Sequence, residues 1–438
     1  MSDEGSQDSP LVSGAVVSFS EGYRGYVLLL FLLVQMTAVI DRQVLAILAE
    51  PIKAEFGLSD LQLGILTGLA FALFYATMSI PIAAWVDRGN RRNIVALALV
   101  VWSTLTALTG IAANFWHLFL YRLGVGAGEA AVQPSTVSII SDFYAPEERS
   151  RAIAIASVGV SIAPLIGFPL GGWLGDQFGW RVAFIALGLP GVALALIVRM
   201  TFREPPRGYS EGRTAEAEVP GVLDVFRFAL RTPTVRHLLA AGALVIFAFY
   251  SLSQWLPTFF RRSHGMSGTE VGIAIGLLVG VAGSLGTFLG GWLSDLAGRR
   301  DVRWTLWLSA IVFAIAFPFY FVATLVESSW LAITVFAVPA MANLFATGPV
   351  LASLQGLVKV RMRAMIVAIF LLGTNLIGVG LGPLLIGFIS DSLSARLGSE
   401  SLRYALTPIP FVLLWAALHL VLAARTQRAD LARASDAA

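Results

Sequence analysis

Polar and apolar residues along this chain fall into long blocks, not into the short alternation of a half-buried strand. Apolar stretches occur near 24–49, 61–86, 93–113, 115–141, 151–175 and 181–200. A polar stretch over 201–233 separates them from a second set near 235–260, 268–294, 304–326, 330–358, 363–390 and 404–424. Each is long enough to cross a bilayer as a helix, and a backbone in lipid needs the internal hydrogen bonds of a helix. The pattern predicts an all-α membrane protein with twelve transmembrane helices in two six-helix bundles. Residues 1–22 read as a tail, 23–200 as the first bundle, 201–233 as a linker, 234–425 as the second bundle and 426–438 as a second tail.

Charge placement gives the orientation. Reading the loops alternately, the side holding both termini carries 22 of the 30 lysines and arginines, among them Arg88, Arg91, Arg92, Arg299, Arg300 and Arg303. Six lie on the other side: Lys53, Arg181, Arg261, Arg262, Arg396 and Arg403. Positive loops stay cytoplasmic, so both termini are expected there. The basic balance, pI near 9.3, therefore reports topology and not nucleic-acid binding. A composition of 57% hydrophobic and 13% charged residues leaves no room for a soluble multidomain reading.

Two charges remain inside the predicted spans on the basic side, Arg42 and Arg122, and two acids accompany them, Asp41 and Glu129. Arg122 and Glu129 lie seven residues apart, two helical turns on one face. Gly124, Gly126 and Gly128 strip bulk from the turns between them, so a neighbouring helix can approach closely. Charges in a membrane helix are costly and normally face a partner or a watery cavity. Glu129 has two readings. In one it is a proton site, because burial disfavours a charged carboxylate and a nearby arginine favours it. In the other it is a fixed salt bridge with Arg122 or Arg42 that holds helices together. Asp41 and Arg42 are adjacent, so their side chains diverge by about 100° around the helix. That geometry suggests a competition, in which protonating one acid frees an arginine for a substrate headgroup or for the other acid.

The chain also repeats itself. Ala83-Ala-Trp-Val-Asp87-Arg-Gly-Asn-Arg-Arg92 ends the second span, and Gly291-Trp-Leu-Ser-Asp295-Leu-Ala-Gly-Arg-Arg300 ends the eighth. The same opening closes the fifth span, Gly172 to Asp176, and the eleventh, Gly387 to Asp391. A three-helix unit used four times, inverted within each half, accounts for this. In the linker, Val222, Leu223, Val225, Phe226, Ala229 and Leu230 oppose Asp224, Arg227 and Arg231, the pattern of a short amphipathic helix on the cytoplasmic leaflet.

These features resemble the major facilitator superfamily, whose loop signature is similar to Asp87-Arg88…Arg91-Arg92, although Ala83 and Asn90 stand where glycines are usual. The first half is most similar to Spinster-type lipid transporters. The similarity rests on Ile40-Asp41-Arg42, the Arg122-to-Ala130 segment, Gln133-Pro134-Ser135-Thr136, Asp142-Phe143 and Arg149-Ser150-Arg151. The resemblance implies a major facilitator fold and proton-coupled movement of lysolipid- or sphingoid-like amphiphiles by alternating access. It also implies a multi-pass protein of a bacterial inner membrane, acting as a monomer and driven by the proton gradient without a bound cofactor. On this reading Asp41 and Glu129 carry the proton, and Arg42 and Arg122 pair with them or hold a headgroup.

Other residues have weaker claims. Asp87, Arg91, Asp142, Asp295 and Arg299 sit at cytoplasmic helix ends, as a gate of loop charges or as ordinary topology signals. Gln133, Gln254, Asn343 and Asn375 either line a cavity or hydrogen-bond between helices. Ala163-Pro164 and Gly378 to Pro383 mark bends and close packing. With no cysteine and four scattered histidines, neither thiol chemistry nor a metal site is expected, and no nucleotide-binding glycine-lysine loop or catalytic constellation is present. A multidrug or organic-anion carrier, or a lipid sensor that transports nothing, are the competing functions.

Overall fold

The computed structural model describes residues 19–206, 222–359 and 362–436. Most of the expected first tail, the acidic part of the linker with Arg207 and Arg213, and Arg361 lie outside the described residues. The first half contains α1 (Glu21–Ile47), α2 (Asp60–Arg88), α3 (Arg91–Thr109), α4 (115–143), α5 (146–178) and α6 (180–201). The second contains α7 (Pro233–His264), α8 (Gly268–Gly298), α9 (Trp304–Leu325), α10 (Ser329–Gly356), α11 (363–397) and α12 (Ile409–Asp436). These are the twelve spans of the hydropathy pattern.

Local chemistry sets where the helices begin. Ser59 with Gln62 and Ser267 with Glu270 form capping boxes at the equivalent starts of α2 and α8. Asn90 and Asn114 cap α3 and α4 through their side-chain oxygens. α5 and α6 run together except at Gly179, whose φ of 82° only glycine adopts readily.

Three features differ from the sequence pattern. α4 is two helices, Phe115–Glu129 and Val132–Phe143, with a turn at Ala130 and Ala131. Pro134 has no N–H to give the Ala130 carbonyl, so the helix breaks one turn before it. α12 continues to Asp436, so residues 426–436 of the expected tail are helical and continuous with the twelfth helix. Thr234 at the start of α7 donates its backbone N–H and hydroxyl to Asp430, which fixes this extension in place. The amphipathic helix Val222–Arg231 buries Val225 and Ala229 in the core of the second half, leaving Phe226 and Leu230 exposed. It therefore packs on protein with one side instead of lying wholly on the leaflet.

The halves meet along two seams, α5 against α8 and α2 against α11, both toward the face away from the termini. Backbones touch there because the residues are small. A Cβ on Gly172 would fall 2.1 Å from the Gly268 carbonyl oxygen, and one on Gly64 2.5 Å from that of Pro383. π-helical turns at Ile65–Leu69, Leu277–Ala282 and Thr374–Leu381 lie in the helices of these seams.

Candidate functional site

The four deep charges come together between α1 and α4. Arg42 Nε lies 3.1 Å from Glu129 Oε2 and also donates to the Ala38 carbonyl at 3.2 Å. Arg122 turns elsewhere: Nη1 donates to the backbone carbonyl of Asp41 at 3.3 Å and Nε to that of Leu66 at 3.4 Å. Leu66 belongs to the first π-helical turn, where the altered ladder presents its carbonyl to a side chain. Of the two pairings open from sequence, the structure takes Arg42 with Glu129.

Asp41, Glu129 and Arg122 are almost wholly buried, whereas the Arg42 side chain keeps 25% of its surface exposed. Arg42 is thus the most accessible charge of this group, with Glu129 behind it. The Asp41 carboxylate makes no aligned hydrogen bond among the described residues, and the Thr106 hydroxyl of α3 stands beside it. Phe71 separates the two cations, its ring centroid 5.4 Å from the Arg42 guanidinium and 5.5 Å from that of Arg122. Gly126 makes room for this ring's own backbone, since a Cβ there would come within 2.5 Å of the Phe71 carbonyl oxygen.

Tyr75 and Tyr250 flank Arg42. Tyr250 comes from α7 and brings the second half to the charge cluster. Sequence reasoning missed it along with Phe71 and Thr106; a tyrosine in the middle of an apolar span was the available signal.

The amides and the loop charges are more scattered. Gln133 is exposed and accepts from Gln35 of α1 at 3.5 Å. Gln254 is buried in α7. Asn343 donates to the Tyr320 hydroxyl and the Pro339 carbonyl and faces an apolar recess between α7, α8 and α10. Asn375 donates back to Leu371 of its own helix. Arg91, buried at the terminal face, pairs with Asp142 and, at 3.0 Å, with Glu204 just beyond α6, so neither pair reaches the second half. Asp87, Asp295 and Arg299 are exposed. A Cβ on Gly291, four residues before Asp295, would meet open space. In the second half the charge cluster on this face is instead Asp301 with Arg303 and Arg428, each at 2.8 Å. The hydrogen bond from Arg303 holds the Asp301 carboxyl at about 2, below its ordinary range.

Twelve long helices in two halves among the described residues are the architecture of a membrane transporter, and the chain belongs to the major facilitator superfamily, whose family model matches residues 31–383. Its first half and overall path are those of the Spinster-type members. The structure of a bacterial homologue of the human lysosomal transporter Spinster, inward-facing and unoccupied, is similar with a TM-score of 0.85 and 35% identity, covering 94% of this chain and 99% of that one. Its occupied inward-facing form gives a TM-score of 0.83, with 34% identity over the same shares. Among curated relatives, an MFS-type efflux pump of Mycolicibacterium smegmatis is 34% identical over 386 residues, 87% of each chain. A probable L-galactonate transporter of Escherichia coli is 28% identical over 310 residues, 66% of each.

Proposed function

We propose that this protein is a proton-coupled transporter of anionic, lipid-like amphiphiles such as lysolipids, working by alternating access with both termini in the cytoplasm of a bacterial cell. The observation that carries this reading is the contact between buried Glu129 and part-exposed Arg42. A ligand anion at Arg42 competes with Glu129 for the same guanidinium. Displaced from Arg42, Glu129 is a buried carboxylate without a counter-charge, which favours its taking up a proton. Substrate binding and protonation are then linked through one arginine. Asp41, beside Thr106 and the Arg122 contact, is the second group that exchanges a proton in this scheme. The seams closed away from the termini suit a state open to the cytoplasm.

The likeness to a Spinster homologue supports an amphiphile as the substrate. The apolar recess of the second half is a suitable surface for a hydrocarbon tail. A second reading has its own support: an arginine with exposed surface also suits a small organic acid, and one curated relative is named as a probable L-galactonate transporter. Proteoliposomes carrying a pH gradient separate the two. Lysophosphatidyl substrate is expected to move with protons and galactonate to leave that flux unaffected. Glu129→Gln is expected to abolish the proton dependence, and unchanged proton-linked flux in that variant overturns the proposal.

A further inference from the structure

The contact between halves on the face away from the termini is built from one motif used twice. Asp176, near the end of α5 in the first half, accepts from the backbone N–H groups of Gly268 at 3.1 Å and Thr269 at 2.7 Å, and from the Thr269 hydroxyl at 2.8 Å. These are the first residues of α8, in the second half. Asp391, in α11 of the second half, accepts from the backbone N–H groups of Asp60 at 2.9 Å and Leu61 at 2.8 Å, the first residues of α2 in the first half. Each carboxylate therefore crosses between halves to satisfy the free amides at the positive end of a helix dipole.

A glycine four residues earlier admits the helix start in both cases. A Cβ on Gly172 would lie 2.1 Å from the Gly268 oxygen, and one on Gly387 2.3 Å from the Asp60 oxygen. The Gly-x-x-x-Asp repeat of the fifth and eleventh spans is thus a clamp, with glycine giving the approach and aspartate the grip.

We propose that Asp176 and Asp391 are positioning residues of a gate at this contact, and that opening the face away from the termini requires both clamps to release. The inference rests on the alternating-access reading above. The two clamps have unequal support. Beside Asp391, Asp60 is held by Lys53 and by Ser390 at 2.6 Å. Arg262 of α7 reaches across to Asp60 at 2.7 Å and Glu50 at 2.5 Å. Loss of Asp391 leaves those cross-half pairs in place, so the Asp176 clamp is the more sensitive of the two.

Because the chain has no cysteine, single reporters read the gate in intact membranes. Val271→Cys, buried just inside the α8 clamp, is labelled from the outer face with an impermeant maleimide, and Gln133→Cys is labelled from the terminal face. Asp176→Asn is expected to raise labelling at the first reporter about tenfold, the population shift of one charge-assisted hydrogen bond. Labelling at the second reporter is expected to fall. Asp391→Asn shifts both less, and the double variant shifts them most. A merely structural loss would raise labelling on both faces together and would overturn the proposal, as would unchanged labelling in the double variant. Should Asp176→Asn fail to fold, Thr269→Ala, which deletes only the hydroxyl contact, is expected to give about a threefold rise, and no rise counts against the clamp. Proton-linked flux that persists in a double variant with unshifted labelling overturns the clamp alone. Absent flux in the parent overturns the transport reading, while the labelling still decides the clamp.

Discussion

Arg42 and Asp41 are neighbours in sequence, yet Arg42 engages Glu129 of α4 while Asp41 offers Arg122 only its backbone carbonyl. The roughly 100° step between successive helical residues produces this division. One side chain points along the path between the halves and the other into the first bundle. Four charges that balance in number are thereby kept from collapsing into two closed ion pairs.

Removing Arg42 should therefore cost more than removing an exposed arginine. Arg42→Ala leaves Glu129 buried without its ion partner, and breaking such a pair typically costs about 3–5 kcal/mol. Because Arg42 is a quarter exposed, the expected loss is at the low end, about 3 kcal/mol. The denaturation midpoint of the purified protein checks this. The Arg42→Ala, Glu129→Gln double variant should recover most of the loss.

The break in α4 gives a different test. Pro134→Ala restores the missing N–H and lets the helix run through Ala130 and Ala131. Stability should change by no more than about 1 kcal/mol, but Glu129 would rotate with the repaired turn. Proton-linked flux is expected to fall by an order of magnitude while thermal stability is held, and a variant with full flux would show that the break is incidental.

Gly126→Val addresses the contact between α4 and α2. The new Cβ would sit 2.5 Å from the Phe71 carbonyl oxygen, which is rigid backbone, so the helices must separate. Overpacking of this kind costs about 1–3 kcal/mol. Gly22→Val, at a position with open space, should be nearly neutral in the same unfolding measurement.

Acid should weaken the corner between α6 and the short helix Ala49–Phe56, on the face away from the termini. Hydrogen bonds from Arg181, and then from Trp180, hold the Glu55 carboxyl below its ordinary range. A carboxyl whose folded pKa is depressed contributes stability above its unfolded value, near 4.3, and loses it as pH falls through the lower folded value. The stability gap between the parent and Glu55→Gln should be constant at neutral pH and close in that acid window. The effect is small, since this pair is well exposed. Melting temperatures of the two proteins across pH 2–7 provide the check.

Much of this was legible because membranes force a simple code. Apolar length gave the spans, loop arginines the expected orientation, and the cost of a buried charge picked out Asp41, Arg42, Arg122 and Glu129. The Gly-x-x-x-Asp repeat was visible, but what it grips was not, since the partner of Asp391 lies more than 300 residues earlier. The α4 break could have been read from Pro134, but hydrophobicity alone concealed it. The Arg262 cluster escaped because loop arginines were counted as topology signals, and Tyr250 escaped because a contact between halves has no sequence period. Asp87, Asp295 and Arg299 stood out by motif and are exposed in this state.

The glycine seams bear on how the molecule insulates the membrane. Where Gly64, Gly172, Gly272 and Gly387 lie, backbone meets backbone, and the glycines themselves carry no side chain to bridge a half-open crack. Such a surface is either shut or flooded, with little in between. A transporter coupled to protons, as proposed above, would gain from that, because a partly parted seam would be a wire for hydrogen ions, short-circuiting the cell's stored voltage.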